Sequence, residues 1–318
     1  MIFRLGTHNG QFHCDDAMGV AIVCAALPEG TDVEIVRTRD QSLLNMCDAV
    51  LDVGGEYNSD RGKYDHHQVR NPKELARENG IPYASAGLIW RHYGMAVCLD
   101  TLVRGTRTAK TGDPRAVHEI VDTKLIQPID AGDTGTKLHD GMPLYDDVTA
   151  VTLSNLVYNM NTAWDEPEES PQEELVRFKS AITVCRGALD RAIVHAFAEV
   201  AAVNTVLASK CLHNGRVLFL EKFAPWATTV HAKLPNVEFV VFPDRTGTWM
   251  AQAVPQQPGS FDLKQPLPEA WAGLRDKDLV TACGVPGAVF CHPGRFICGH
   301  ATAEGAVMMA KYALLAAV

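Results

Sequence analysis

The 318-residue sequence has no CxxC pair, and its nine cysteines are scattered singly along the chain. An odd number of dispersed cysteines argues against the disulfide framework of a small secreted protein. The N-terminus, MIFRLGTHNG, also lacks the basic and apolar segments of a signal peptide and the Arg/Ser-rich character of a transit peptide. We therefore expect an intracellular protein in a reducing compartment, cytoplasmic, with a nuclear or mitochondrial location left open.

Positive charge is scarce, because 29 Lys and Arg residues face 38 Asp and Glu residues, for a formal net charge of -9. Proteins that coat long nucleic acids bind through many Lys and Arg contacts to phosphate, so the composition disfavours that class. Short or local phosphate binding stays open. No apolar run looks long enough to span a bilayer, so we expect no membrane partner. The oligomeric state is not readable from the sequence.

Hydrophobic residues make up 47% of the chain and charged residues 21%, which is enough apolar surface for a packed core. The length favours two domains. We predict an N-terminal domain over residues 1–165, a linker helix region over 166–212 and a smaller α/β domain over 213–318.

The N-terminal part alternates between strand and helix patterns. Strands are predicted at IFRLGT (2–7), VEIVRT (33–38) and AVLDVG (49–54), and helices at 16–27 and 41–47 between them. Such alternation indicates an α/β fold with a parallel sheet. Further helices are predicted from Ser85 to about Val103 and from Pro114 to about Ile129.

The C-terminal part begins with a helix start at Ser170, Pro171 and Glu173, which match a capping box with proline at the first position. Apolar spacing predicts a long helix to about Leu207, with HNG (213–215) as its stop. Beyond it, strands are predicted at 217–223, 237–242 and 249–254, and a last helix from about Thr302 to Ala317.

Acidic and histidine residues follow several of the predicted N-terminal strands. Ligand sites of open α/β sheets lie beyond the carboxyl ends of the strands, so these residues should meet at one edge. Carboxylates and imidazoles suit hard divalent cations, and a pair of cations needs a bridging carboxylate. The candidates are His8, His13, Asp15, Asp16, Asp52, Asp65, His66, His67 and Asp130.

Each candidate also has a simpler structural interpretation. Asp15 or Asp16 is placed to cap the first helix. Asp52 is placed to form a turn before Gly54 and Gly55, and a histidine pair alone is most often a surface feature.

Five motifs together resemble one known family. YDHHQ preceded by LDVGG, THNGQFHCDDAMG at the start, IDAGD, and GLRDKDLVTACGVPGAVFCHPGRFICGHATAEGA near the end resemble the melanocyte-proliferating-gene branch of the DHH phosphoesterase superfamily. The resemblance covers most of the chain. It implies a DHH-phosphoesterase-like N-terminal domain with two metal ions, usually Mn²⁺, with Mg²⁺ as the other candidate.

The resemblance also implies roles for individual residues. Asp52 would bridge the two ions, His66 would be a ligand and Asp130 would complete one site. His67 would face the phosphate, and Asp65 would orient an imidazole. These two form the predicted catalytic pair.

The first motif departs from the superfamily pattern, in which the two acids after the histidine are separated by one residue. Here Asp15 and Asp16 are adjacent. We expect His8 and Asp15 to be ligands, with His13 and Asp16 nearby. Asp133, close to Asp130, leaves the same ambiguity in the fourth motif.

The segment GRFICGHATAEGA resembles the substrate loop of such enzymes. The resemblance therefore implies a metal-binding catalytic domain at residues 1–165 and a substrate-binding domain at residues 213–318. Arg295, Gly299, His300 and, less directly, His292 are the predicted substrate-binding residues, because glycine lets backbone N–H groups approach a phosphate that charged side chains bind. The alternative is a strand turn before a helix, with Gly299 needed for geometry and His300 capping or buried.

The predicted function is that of a manganese-dependent phosphodiesterase, a 3′-to-5′ exonuclease on RNA or short oligonucleotides, with RNA favoured because the branch it resembles includes that activity. Two alternatives stay open. One is a small-molecule phosphatase or pyrophosphatase that uses the same metals, and the other is a degenerate relative that binds metal or nucleotide without hydrolysis.

Overall fold

The computed structural model describes residues 2–104, 112–139 and 150–316. The chain divides between Phe197 and Ala198 into two compact units, called here the N-terminal and the C-terminal unit. The division falls inside the long helix that the sequence predicts between its two domains. The assignment of catalysis to residues 1–165 and of substrate binding to residues 213–318 stays a prediction.

The N-terminal unit contains a five-stranded sheet in the order β2-β1-β3-β5-β4. β2, β1, β3 and β5 run parallel, and β4 pairs antiparallel with β5 at the edge. A mixed α/β fold with a parallel sheet is thus confirmed. The strands are β1 Ile2–Thr7, β2 Asp32–Arg37, β3 Ala49–Leu51, β4 Tyr57–Asn58 and β5 Lys63–Tyr64.

Two long helices of this unit pack against each other in its core. Val20 and Ile22 on the first and Leu88 and Ile89 on the second are fully buried. A helix that is apolar on every side is typical of such an interior position. The helices are α1 Cys14–Ala26, α2 Gln41–Leu44, α3 Ser85–Arg104, α4 Pro114–Val121, α5 Gln127–Asp133 and α6 Leu153–Tyr158, with short 3-10 turns at Ser59–Arg61 and Pro72–Leu75.

The helix predicted from Pro114 to about Ile129 extends four residues further, to Asp133. A π-helical turn, Asp122–Ile126, joins α4 to α5, which ends at Asp133. Asp130 and Asp133 therefore lie nearly one turn apart on one helix, and not in a loop.

A long helix, α7 Pro171–Ala208, crosses the division between the units. Its predicted start is confirmed, because the Ser170 N–H donates to Glu173 Oε2 at 2.8 Å. By length and mean hydropathy α7 qualifies as a candidate membrane span, contrary to the expectation that no run suffices. Leu189, Ile193 and Phe197 of α7 are buried, and 28% of its apolar window lies inside the protein. The absence of a membrane partner stays a prediction.

The C-terminal unit has a six-stranded sheet in the order β10-β11-β9-β8-β7-β6, in which only the β7–β8 pair is parallel. The strands are β6 Lys210–Leu212, β7 Val217–Phe219, β8 Phe239–Pro243, β9 Trp249–Ala253, β10 Ala288–Cys291 and β11 Ile297–His300. The helices are α8 Ala227–Lys233, α9 Asp276–Cys283 and α10 Ala303–Leu315, with a 3-10 turn at Glu269–Trp271.

Two boundaries in this unit differ from the sequence prediction. The HNG stop is a turn after β6, because α7 ends five residues earlier, and the strand predicted at 217–223 keeps only Val217–Phe219. The predicted end of the last helix, Ala317, lies outside the described residues.

Candidate metal and phosphoester site

Three neighbouring parallel strands deliver the candidate residues to one edge of the N-terminal sheet. His8 follows β1, Asp52 follows β3, and the Asp65–His67 segment follows β5. The backbone of Asp52 has φ of 58°, in the left-handed region that Asp tolerates better than most residues. The chain therefore turns as soon as β3 ends.

Asp52 lies at the centre of the cluster. Its two carboxylate oxygens lie 3.3 Å from His8 Nε2 and 3.4 Å from His66 Nε2. His66 Nε2 lies 3.2 Å from Asp133 Oδ2, and His8 Nε2 lies 3.4 Å from Asp16 Oδ2. Acids and imidazoles from four segments of the chain thus meet within contact distance.

The adjacent acids at the start of α1 combine capping with proximity to the cluster. Asp16 Oδ1 accepts the His13 backbone N–H at 2.9 Å, as a capping residue does. Asp15 accepts the N–H groups of Ser85 at 3.0 Å and Ala86 at 2.6 Å, at the start of α3. Asp16 therefore takes part in capping the first helix, as predicted, whereas Asp15 caps α3 instead, and Asp16 Oδ2 still faces His8.

Burial and neighbouring charges shift the pKa values of these groups in opposite directions. Burial raises the pKa of Asp16 to about 7 and raises that of Asp15 well above its ordinary value. Burial alone would raise the pKa of Asp52, but His66 and His8 hold it below its usual range. Burial lowers the pKa of His66, but Asp133 and Asp52 outweigh it and raise the pKa to about 11. So dense a set of charges suits a cation.

Three buried ionisable atoms in and beside the cluster make no hydrogen bond of good geometry, although each lies within ion-pair distance of a neighbour. They are Asp16 Oδ2, His66 Nε2 and Asp130 Oδ2, and such unsatisfied buried groups are rare in folded proteins. Three sets of side chains each bring ligand atoms within 4.8 Å of one another: His8, His13 and Asp52; Asp52, His66 and His67; and Asp15, His66 and Asp133. The residues present therefore fit divalent cations, and Asp52 belongs to two of the sets.

The carboxylate of Asp130 interacts with groups outside the cluster. Its Oδ1 accepts the Gly87 N–H at 2.9 Å, and Arg77 Nη1 lies 2.7 Å from its Oδ2. A Cβ on Gly87 would lie 1.9 Å from that second oxygen. Asp130 belongs to none of the three sets, whereas Asp133 belongs to one. The structure thus places Asp133, and not Asp130, against His66.

The second histidine of the DHH triplet is held by its acid. Asp65 Oδ1 lies 2.8 Å from His67 Nδ1, and Asp65 Oδ2 accepts the Gly55 N–H at 2.6 Å. The hydrogen bond to Asp65 is the main reason why the pKa of His67 is raised. With 62% of its side chain exposed, His67 can reach a ligand above the cluster.

Arg37, at the end of β2, supports the loop that contains His8, and the sequence motifs did not single it out. Its Nε donates to the His8 carbonyl at 3.1 Å and its Nη2 to the Gly10 carbonyl at 2.9 Å. It also forms an ion pair with Glu174, which accepts the Gly10 N–H at 3.0 Å. The sequence signal that could have identified Arg37 was its position at the end of the strand next to β1.

A cleft of about 1050 Å³ opens over the cluster. Its lining includes one arginine, Arg39, among mostly polar and acidic residues. The other lining residues are His8, Asn9, Gly10, Gln11, His13, Asp52, Val53, Gly54, Gly55, Asp65, His67, Gln68, Gly132 and Asp133. The cleft is large enough for a phosphoester substrate.

In the C-terminal unit, His300 has partners within the protein for both ring nitrogens. It is 3% exposed, its Nδ1 accepts the Thr302 N–H at 2.9 Å, and its Nε2 lies 2.9 Å from the Pro286 carbonyl oxygen. A Cβ on Gly299 would lie 2.5 Å from the Phe290 ring. This arrangement matches the alternative of a buried histidine and a glycine required by packing.

The other two C-terminal candidates lie in the turn between β10 and β11. Arg295 Nε donates to the Leu267 carbonyl at 2.7 Å, and the exposed His292 accepts the Gly294 N–H through Nδ1 at 3.0 Å. Their role as substrate contacts stays a prediction.

The matches to known proteins extend over both units. Residues 4–314 match the model of a family described as uncharacterised protein family UPF0160. A human protein named MYG1 exonuclease is 36% identical over 330 residues, which cover 98% of this chain and 85% of that protein. A Caenorhabditis elegans MYG1 protein is 32% identical, and the alignment covers 99% of this chain and 96% of that protein. A Schizosaccharomyces pombe MYG1 protein is 30% identical, and the alignment covers 98% of both chains.

No solved structure matches the chain significantly. Because the family model and the curated relatives extend over nearly the whole sequence, the chain belongs to the MYG1 family.

Proposed function

We propose that this protein is a metal-dependent phosphodiesterase that removes nucleotides from an end of RNA or of short oligonucleotides. The observation that carries the proposal is Asp52, buried between His8 and His66 at the edge of a parallel sheet. Relatives along the whole chain are named MYG1 exonuclease, which supports the choice of reaction. The acids after β1, β3 and β5 also support a DHH-phosphoesterase-like arrangement of the N-terminal unit.

Two neighbouring ligand sets would share Asp52. One set is His8, Asp16 and Asp52, and the other is Asp52, His66 and Asp133, with Asp15 beside it. Asp133 takes the role first expected of Asp130, because Arg77 and Gly87 already hold that carboxylate. Mixed carboxylate and imidazole donors suit Mn²⁺ better than Mg²⁺, which prefers oxygen ligands and retained water.

Divalent cations bound there would lower the pKa of a water molecule and neutralise phosphoryl oxygens. The protein side chains orient the substrate and manage protons. Asp65 fixes the His67 ring and favours its protonated form, so that Nε2 donates a hydrogen bond to a phosphoryl oxygen or a proton to the leaving oxygen. Arg37 and Glu174 hold the His8 loop in place.

The direct test is digestion of a 5′-labelled oligoribonucleotide by the purified protein with Mn²⁺. We expect a ladder that shortens one nucleotide at a time. Asp52→Asn should abolish it, because asparagine tolerates the same backbone conformation but removes the charge. Glu34→Gln is the matched control, because Glu34 lies on the same sheet and makes only an exposed ion pair with Arg4.

The same assay separates the alternative functions. Turnover of pyrophosphate with no shortening of the oligonucleotide would favour the small-molecule phosphatase. Tight Mn²⁺ binding without turnover of either substrate would favour the degenerate binding protein. Identical shortening by wild type and Asp52→Asn would contradict the proposed site. A DNA oligonucleotide of the same sequence tests the expected preference for RNA.

A further inference from the structure

A second, smaller cavity opens beside the cluster in the N-terminal unit. Its volume is about 210 Å³, against about 1050 Å³ for the main cleft. His13, Gly132 and Asp133 line both cavities. A group bound in the smaller cavity, called here the side pocket, would therefore be next to Asp133 and could continue into the main cleft.

The walls of the side pocket combine one aromatic ring with polar groups. α6 contributes Ser154, Asn155 and Tyr158, and Ile129 of α5 lies among the other lining residues. Tyr158 is 52% exposed, so its ring is accessible to a ligand. An aromatic face with nearby hydroxyl and amide groups is suited to a nucleobase and its sugar, because every base has a face that stacks.

The wall formed by α6 is tied to the loop of the metal cluster. The Phe12 N–H donates to Asn161 Oδ1 at 2.9 Å, and Asn161 Nδ2 donates to the Phe12 carbonyl at 2.9 Å. Phe12 directly precedes His13, which lines both cavities. The reciprocal hydrogen bonds therefore fix the distance between the wall and the cluster, and a preorganised pocket loses less entropy on binding.

We propose that the side pocket binds the terminal nucleoside of the substrate, with its base stacked on Tyr158 and its sugar near Ser154 and Asn155. This inference rests on the proposed function, in which the scissile phosphate lies against Asp133 and the rest of the chain occupies the main cleft. At 210 Å³ the pocket is smaller than the roughly 300–1,000 Å³ of sites for drug-sized ligands. It therefore has room for no more than one nucleoside, so cleavage would release one unit from an end.

The binding test compares adenosine monophosphate with ribose 5-phosphate, which has no base, by calorimetry in the presence of Mn²⁺. Wild type should bind adenosine monophosphate at least about tenfold more tightly than ribose 5-phosphate, because the base stacks on Tyr158. Tyr158→Ala should remove that difference, and Tyr158→Phe should keep it. Trp164→Ala is the matched control, because Trp164 is 96% exposed in the same unit and lines neither cavity.

The hydrolysis test uses a dinucleotide and its analogue with an abasic terminal sugar. Tyr158→Ala should lower kcat/KM for the dinucleotide about tenfold and leave that of the analogue unchanged. An equal effect on both substrates, or an unchanged binding ratio for adenosine monophosphate, would overturn the proposal. If wild type hydrolyses neither substrate, the proposed function is wrong, and the binding test still decides whether the pocket recognises a base.

Discussion

The two units each bury histidine beside glycine-rich segments, but they satisfy these side chains differently. In the C-terminal unit both nitrogens of His300 have partners within the protein, Thr302 and Pro286. In the N-terminal unit His66 Nε2 and Asp16 Oδ2 are buried without a hydrogen bond, among acids and imidazoles of other segments. His213 and His231 of the C-terminal unit also have a buried Nε2 without a hydrogen bond, but neither belongs to a described group of potential metal ligands. A satisfied buried polar group stabilises its own fold, whereas an unsatisfied one that is surrounded by potential metal ligands is suited to bind a cation. Similar residue types in sequence therefore have different uses in the structure.

The largest expected effect comes from the same substitution made in each unit. His66→Gln should lower Mn²⁺-dependent hydrolysis at least about a thousandfold, because a metal ion contributes several kcal/mol to transition-state stabilisation. His300→Gln should leave the activity of the folded protein unchanged. Initial rates, normalised to the folded fraction measured by circular dichroism, would show this contrast. Equal losses in the two variants would remove the distinction between the units.

Manganese should stabilise one unit and not the other. At a free concentration a hundred times its Kd, a ligand that binds only the folded state contributes about 2.7 kcal/mol. Hydrogen exchange with and without Mn²⁺ should show slower exchange at β1, β3 and α1 and no change at β10 and β11. Chelator should reverse the effect. Protection in the C-terminal unit alone would place the metal elsewhere.

Packing around His300 should matter for stability and not for metal binding. A Cβ on Gly305 would lie 1.9 Å from His300 Cε1, so Gly305→Ala should lower the free energy of unfolding by about 2 kcal/mol through overpacking. Gly187→Ala is the matched control, because no heavy atom lies within 4 Å of its added Cβ. Gly187 lies within α7, so Gly187→Ala should raise the free energy of unfolding by about 0.5–1 kcal/mol. Urea unfolding and Mn²⁺ titration of both variants provide the measurements.

The smallest expected effect concerns Arg37, which contacts the His8 loop and none of the proposed ligand side chains. Arg37→Met should weaken Mn²⁺ binding about tenfold, at the low end of the losses found when the supports of metal ligands are removed. Arg4→Met, on the neighbouring strand, breaks only exposed contacts and should leave the affinity unchanged. Calorimetric titration would test both. An unchanged Mn²⁺ affinity in Arg37→Met would mean that the His8 loop keeps its conformation without this support.

The sequence predicted β1 and β3, two of the three strands that position the cluster, because their patterns are local, but it did not predict β5, a two-residue strand that pairs with β3. Runs of β-branched residues that end in polar residues mark β1, β2 and β3, and the carboxyl ends of parallel strands meet at one edge. β10 and β11 were not predicted, because their segments mix glycine, histidine and cysteine and owe their conformation to pairing with each other and with β9.

The choice between Asp130 and Asp133 could not be made from spacing. Both acids lie on α5, nearly one turn apart, and both are within reach of the sheet edge. Arg77, far away in sequence, pairs with the first and leaves the second against His66. Long-range ion pairs of this kind have no local signal.

The α/β class, the family and the acids and imidazoles available for chemistry can be read from the chain alone, because they follow from residue type, periodicity and motif. Which of these side chains lie together depends on the folded protein. The tertiary structure places Asp52 between His8 and His66, pairs Asp130 with Arg77 and encloses His300, because contact between distant segments and exclusion of water depend on packing, which no local pattern specifies.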